Sequence, residues 1–230
     1  MIVNPDRVAG ARAARERGAD CIVLDDAFQH LRIHRDVDLV LVDATNPLGF
    51  GRCLPRGLLR EPPSALRQAD AIVLTRADAV SPAGLDDIEA TLRRHAGEMT
   101  PIFRAVHRPT AVIDESGARH GVERLAGRAF FAFCGLGNAG AFFRTLESLH
   151  ATAAGRRELG DHAHYDTARL DELAAAARAV GASHFITTQK DYVKLQNMNV
   201  PLPCWQLAVE MDLLDGGETL FEWIAETMGK

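Results

Sequence analysis

No stretch of these 230 residues approaches the about 18 consecutive apolar residues that a membrane span needs, and no signal peptide opens the chain. A membrane anchor, if the protein has one, is not carried by these residues. Cysteine is scarce and scattered: Cys21, Cys53, Cys134 and Cys204 have neither metal-ligand spacing nor the pattern of a disulfide framework, which fits a reducing cytosol. Excess positive charge is missing too, and a net charge of −5 leaves no footprint for nucleic acid. A Walker A loop is also absent. Its glycine-rich turn ends in Gly-Lys-Ser/Thr, and the only Gly-Lys pair here is Gly229-Lys230. The opening Met1-Ile2-Val3-Asn4-Pro5-Asp6 reads as the tail of a strand entering a helix at about Val8, so the chain is expected to start inside a fold.

What is present is ordinary globular material: 47% hydrophobic and 25% charged residues predict a soluble protein with ample core in one or two domains. Apolar runs alternate with helical patterns, which predicts an α/β fold with mainly parallel strands. Strands are expected at Cys21–Leu24, Asp38–Val42, Ala71–Leu74, Ile102–Ala105, Ala129–Cys134 and His184–Thr188. Helices are expected at about Val8 to Arg17, Pro82 to Arg94, Gly140 to Leu149 and Thr167 to Val180. Ala151 to Asp161 shows no apolar strand run. Residues 107–128 read as a β-hairpin connector between a first domain, 1–106, and a second α/β domain, 129–230.

Asp25-Asp26 close the apolar run Cys21–Leu24 and are followed by Ala27-Phe28-Gln29-His30. A buried strand ending in carboxylates delivers them to the carboxyl edge of a parallel sheet, where open α/β folds bind ligands. In nucleotide-triphosphate enzymes such a carboxylate holds Mg²⁺ against the phosphates, and a cation beside two adjacent acids keeps both ionised. Capping of a following helix is the simpler alternative. The long loop from Ala44 to Pro63 carries Arg52, Arg56, Arg60 and Glu61; with Arg32 and Arg35 these arginines suit either a local anion site or a solvated basic face.

Gly135, Gly137 and Gly140 spell G-x-G-x-x-G between a strand and a helix, as in dinucleotide sites, or equally a tight turn for close packing. Thr75-Arg76-Ala77-Asp78 resembles a base-reading element of GTPases, with capping by Asp78 the default. Asp161-His162-Ala163-His164-Tyr165-Asp166 offers imidazoles beside carboxylates, for zinc if ligands came from elsewhere, though no Cys/His partner motif exists, for tuning a general base, or most simply for starting a helix. Lys190-Asp191 at a strand end suits substrate holding, an internal ion pair or a cap.

In this order the pieces resemble the tetraacyldisaccharide 4′-kinase (lipid A 4′-kinase) family. Asn4-Pro5-Asp6-Arg7 is similar to its Pro-Asp-Arg segment, and Asp25-Asp26-Ala27-Phe28-Gln29-His30 to its Asp-Asp-Gly-x-Gln-His motif. Leu54-Pro55-Arg56-Gly57-Leu58-Leu59-Arg60-Glu61-Pro62 is similar to its Leu-Pro-x-Gly-x-Leu-Arg-Glu-Pro loop. Gly135-Leu136-Gly137-Asn138 with Phe142-Phe143, Asp161-His162, and Thr187 to Leu195 resemble further family stretches. The chain departs from the family at Ala27, where glycine is usual, at Arg56 and Leu58, and at Gln189 in place of glutamate.

The resemblance implies a P-loop-kinase-like parallel sheet plus a second, smaller α/β domain. It implies transfer of the γ-phosphoryl of ATP to the 4′-hydroxyl of a tetraacyldisaccharide 1-phosphate in lipid A biosynthesis, with Mg²⁺. The expected partners are the glycolipid and a membrane surface, at the cytoplasmic face of the inner membrane, with these residues themselves cytoplasmic or peripheral. Carried over, Asp25 and Asp26 are the Walker B-like acids, with Asp26 nearest the metal. Glu61 is a second metal-facing carboxylate and Arg60 an anion contact. Gln29 and His30 line the nucleotide or acceptor side, and His162 supports a catalytic aspartate. The family's P-loop, catalytic aspartate and anchor match nothing in these residues, so the kinase sheet is expected to be truncated at its amino end and the 230 residues inactive alone. The alternatives are a non-catalytic relative that binds an anionic glycolipid or nucleotide, and a dinucleotide-binding module.

Overall fold

The computed structural model describes residues 1–151, 153–161 and 163–229. Helix α1 (Arg7–Glu16) starts where the Asp6 carboxylate accepts the N–H groups of Val8 and Ala9, and Gly18 follows its end at φ +86°. Strands β1 (Leu39–Asp43) and β2 (Ala71–Thr75) come next, then helix α2 (Pro82–Ala96), capped by Ser81 with Pro82 in its first turn. Asp78 is not that cap; it lies in the short turn Ala77–Ala79 before it. Strand β3 (Ile102–Ile113) turns back at Asp114 into β4 (Arg119–His120). Then follow β5 (Phe130–Cys134), α3 (Ala139–Ser148), β6 (Ala153–Glu158), α4 (Thr167–Ala179), β7 (His184–Thr188), the one-turn α5 (Gln189–Tyr192), β8 (Cys204–Asp215) and α6 (Gly217–Met228).

The chain forms two compact units, Met1–His107 with Met211–Lys230, and Arg108–Glu210. This differs from the sequence expectation at the carboxyl end: residues from 211 onward return to the first unit, and most of the 107–128 segment lies within the second. The reason is apolar burial. In the first unit β1, β2 and β3 run parallel, and all five residues of β2 are buried. Ile72 and Leu74 pack with Leu85 and Leu92 of α2, while Ala71 and Val73 pack with Leu220 and Trp223 of α6. A strand covered on both faces reads as one apolar run, and without α6 one face of β2 would be wet.

The second unit repeats this arrangement. Strand β5 lies between β6 and β7, parallel to both, and β7 is parallel to β8. Phe130, Ala132 and Cys134 pack with Phe142, Phe143 and Leu146 of α3; Phe131 and Phe133 pack with Leu170, Leu173 and Ala177 of α4. Each fully buried Phe or Leu here contributes about 1.5–3 kcal/mol.

Two expectations are overturned. Cys21–Leu24 is not a buried strand: it has no ladder partner among the described residues, and Ile22 and Val23 are 42% and 90% exposed. An apolar run becomes a strand only where its backbone N–H and C=O groups find a neighbour. Conversely, Ala153–Glu158 is a strand despite its polarity, because as an edge strand it takes its backbone partners from β5 and leaves its arginines exposed.

Candidate functional site

In the first unit, a cavity of about 1360 Å³ opens between α1, the segment from Asp20 to Gln29, β1, the turn from Leu58 to Leu66, and the last turns of α6. Asp25, Asp26, Gln29, Arg60 and Glu61 all line it. Arg60 ties the two motifs together: its Nη1 donates to Oδ1 of Asp26 at 2.8 Å and to Oε1 of Gln29 at 3.5 Å. Asp26 sits at φ +50°, in the left-handed region that aspartate tolerates better than most residues. Ala27, where the related motif has glycine, is not at a positive φ and is buried, so its methyl group is accommodated. No helix follows Asp26 for it to cap.

His30 is not brought to this cavity. Its side chain is exposed, and its carbonyl accepts from Arg35 at 2.6 Å. Arg35 is not a free anion contact either, since its guanidinium is held by Asp38, Nη2 to Oδ2 at 2.9 Å, with both side chains largely covered.

Arg60 is aimed by the loop before it. Leu54 donates to the Leu59 carbonyl at 2.9 Å, Leu58 to Gly49 at 3.1 Å and Leu59 to Arg52 at 3.2 Å, so the chain folds back on itself. At Gly57 a Cβ would lie 2.1 Å from the Arg52 carbonyl oxygen, which only glycine avoids.

Sequence reasoning missed Asp43. It ends β1, lines the same cavity, accepts from the Thr45 hydroxyl at 2.7 Å and forms an ion pair with Arg76, a residue held at φ +55°. The signal was available: Leu39–Val42 is an apolar run closed by a carboxylate, and unlike Cys21–Leu24 it is a paired strand.

Oxygen-only donors suit Mg²⁺, which takes one or two carboxylates and completes its shell with water and substrate phosphate. Asp26 and Glu61, the two acids that the resemblance turns toward the metal, are carboxylates lining the same cavity and are of the type Mg²⁺ takes. They do not form a closed cage, since no group of three or more His, Cys, Asp or Glu poised to hold a metal occurs among the described residues.

The second unit carries the remaining motifs, and His162 lies outside the described residues. At the carboxyl ends of β5 and β7 the fully buried Asp191 accepts the Gly135 N–H at 2.8 Å and the Thr188 hydroxyl at 2.9 Å, and pairs with Lys194 at 3.2 Å. Burial pushes the Asp191 carboxyl up, but the Gly135 N–H, the Thr188 hydroxyl and the Lys194 ammonium outweigh it and hold it below the ordinary 3.8. Lys190 faces Asp161 instead, at 3.5 Å. The G-x-G-x-x-G turn is therefore occupied from within: Asp191 takes its first N–H, and Asp161 lies 3.4 Å from where a Cβ on Gly137 would be. Two carboxylates at this turn oppose a pyrophosphate. A Cβ on Gly135 would meet Ala163 at 2.9 Å, so close packing accounts for that glycine.

The family sequence model for tetraacyldisaccharide-1-P 4′-kinase (LpxK) matches residues 1–229. The chain belongs to the tetraacyldisaccharide 4′-kinase family. It is 40% identical over 220 residues to the tetraacyldisaccharide 4′-kinase of Syntrophotalea carbinolica, covering 95% of this chain and 58% of that protein. It is 43% identical over 200 residues to that of Anaeromyxobacter dehalogenans strain 2CP-C, covering 85% and 52%. The crystal structure of the "apo" form of LpxK from Aquifex aeolicus in complex with ATP matches with a TM-score of 0.69 at 25% identity, covering 98% of this chain and 64% of that one. The chain thus spans 52–58% of the length of these two curated kinases. The mixed α/β, parallel-dominated fold is that of the kinase family.

Proposed function

We propose that these residues supply the acid-and-arginine part of an ATP-dependent tetraacyldisaccharide 4′-kinase site, acting on the 4′-hydroxyl of a tetraacyldisaccharide 1-phosphate in lipid A biosynthesis. The observation that carries this reading is the bond from Arg60 to Asp26 and Gln29, which gathers the two most specific motifs into one cavity. Phosphoryl transfer asks a protein for positioning and charge neutralisation more than for covalent chemistry. Arg60 is placed to draw phosphate oxygens into the cavity. Asp26 and Glu61, which line the same cavity, would hold Mg²⁺, which neutralises phosphate charge when bound, with Asp25 the second Walker B-like acid. Arg60 shares the Asp26 carboxylate, so its guanidinium would be fully available to an anion only where that carboxylate is otherwise neutralised. His162 supports the catalytic aspartate of the dyad that the family resemblance implies. Because the substrate is acylated the work would be done at a membrane surface, which the family resemblance puts at the cytoplasmic face of the inner membrane.

Transfer of label from [γ-³²P]ATP to tetraacyldisaccharide 1-phosphate tests this, with the 230 residues assayed beside an upstream-extended form. Label in the glycolipid with the extended form, and none with the 230 residues alone, is the expected result. Equal turnover by both would mean that ATP is held by groups other than a P-loop, and no turnover by either would remove the reading.

A further inference from the structure

The loop that aims Arg60 has an outer side that the phosphoryl-transfer site does not use. Phe50, Leu54 and Leu58 recur every fourth residue and are 75%, 63% and 61% exposed; Phe50 and Leu54 lie outside the cavity lining, whereas Leu58 is on it. Arg52 and Arg56 alternate with them and Arg60 follows at the same interval, all three exposed. From Gly49 to Arg60 the loop holds three arginines and no acid, in a chain whose net charge is −5. Arg60 is engaged with Asp26, whereas Arg52 and Arg56 have no ion-pair partner among the described residues.

Nothing in this arrangement is slack. The backbone bonds of Leu54, Leu58 and Leu59 and the close approach at Gly57 fix the loop, and Phe50 is held outward at φ +68° between Gly49 and Gly51. A short chain segment closed on its own backbone, with apolar side chains raised into water and unpaired guanidinium groups between them, is expensive to keep on a surface that meets only solvent.

We propose that the Gly49–Arg60 loop docks the protein on an anionic phospholipid bilayer, with Phe50 and Leu54 entering the interface and Arg52 and Arg56 on lipid phosphates. Apolar insertion and cationic attraction are the two forces that hold monotopic proteins on membranes, and this loop offers both on one element. Docking there sets the adjoining Asp26–Arg60 cavity at the bilayer surface, where a substrate carrying four acyl chains resides. The inference rests on the proposed membrane-surface activity but is read without turnover, so a failed kinase assay and a failed docking test are distinguishable.

The test is co-sedimentation of the 230-residue chain with vesicles of phosphatidylcholine alone and of phosphatidylcholine with phosphatidylglycerol, at low and high salt. Binding to the anionic vesicles that weakens with salt is expected. R52Q/R56Q should lower the partition coefficient by about fivefold per arginine, and F50S/L54S by about tenfold or more. Met99→Ser and Arg67→Gln, at exposed positions of the first unit outside the cavity lining, should leave it unchanged. All four replaced loop side chains are exposed, so thermal unfolding should be unaltered and loss of binding is not loss of fold. The proposal is overturned if wild type ignores anionic vesicles, if both loop variants bind like wild type, or if Met99→Ser lowers binding as much. It is equally overturned if sedimentation equilibrium shows a dimer that F50S/L54S dissociates, since a second copy of the chain is then the occupant.

Discussion

Arg60 reaches Asp26 across 34 positions of sequence, Nη1 to Oδ1 at 2.8 Å, while both side chains remain more than half exposed. An exposed pair of this kind contributes at most about 1 kcal/mol to stability. Its place is therefore better explained by what it prepares, an arginine and a carboxylate held at the entrance of one cavity, than by what it stabilises.

Arg60→Ala and Glu61→Gln should accordingly leave the thermal unfolding of the chain within about 1 kcal/mol of wild type. In the upstream-extended form both should lower turnover, whereas Arg67→Ala, exposed and outside the cavity lining, should not. Steady-state kinetics on the three variants checks this. Three indistinguishable variants would reduce the loop to a solvated connector.

Thiol titration separates an exposed Cys21–Leu24 segment from a buried strand. Cys21 is exposed and Cys53 half-buried, while Cys134 and Cys204 are buried. Burial, and then the charge of Asp191, pushes the Cys134 thiol up to about 12, and burial raises Cys204 as well. An aromatic disulfide reagent at neutral pH should modify Cys21 fastest and Cys53 more slowly, and should reach Cys134 and Cys204 only on unfolding. A Cys21 as inert as Cys134 would restore the buried strand.

Asp191 gives the second unit an acid limit. Its folded pKa lies below the ordinary 3.8, so its stabilisation is fully present above that value and is lost as pH falls through the folded one. Unfolding midpoints measured from neutral to strongly acidic pH should show this loss in wild type. Asp191→Asn should be less stable at neutral pH and flatter toward acid. Asp191→Ala, which leaves the buried Gly135 N–H unpaired, should cost on the order of 3 kcal/mol.

Strands buried on both faces were the legible part of the fold, because Ala71–Leu74 and Phe130–Cys134 are unbroken apolar runs that only a covered parallel strand requires. The errors share one physical origin, which is that ladder partners are not written in a strand's own residues. Ile22 and Val23 look like core and stand in water, while Arg156 and Arg157 look like loop and lie in β6. Ile102–Ala105 reads as a short strand before a connector, yet β3 runs on to Ile113. The return of α6 to the first unit is likewise set by which face of β2 needs cover. At the site, Asp25, Asp26, Gln29, Arg60 and Glu61 were legible as motifs. That Arg60 joins them, that His30 stands apart and that Asp43 shares the cavity depend on contacts no local spacing encodes.

The most direct test is the turnover of Asp26→Asn in the upstream-extended form, measured as ³²P transfer from ATP to tetraacyldisaccharide 1-phosphate, with its unfolding midpoint recorded in parallel. The change removes one charge from an exposed carboxylate and keeps its shape. A loss of about 100-fold or more in kcat with an unaltered midpoint is the predicted result. Near-wild-type turnover would contradict the account and remove the Asp25–Asp26 cavity from the reaction.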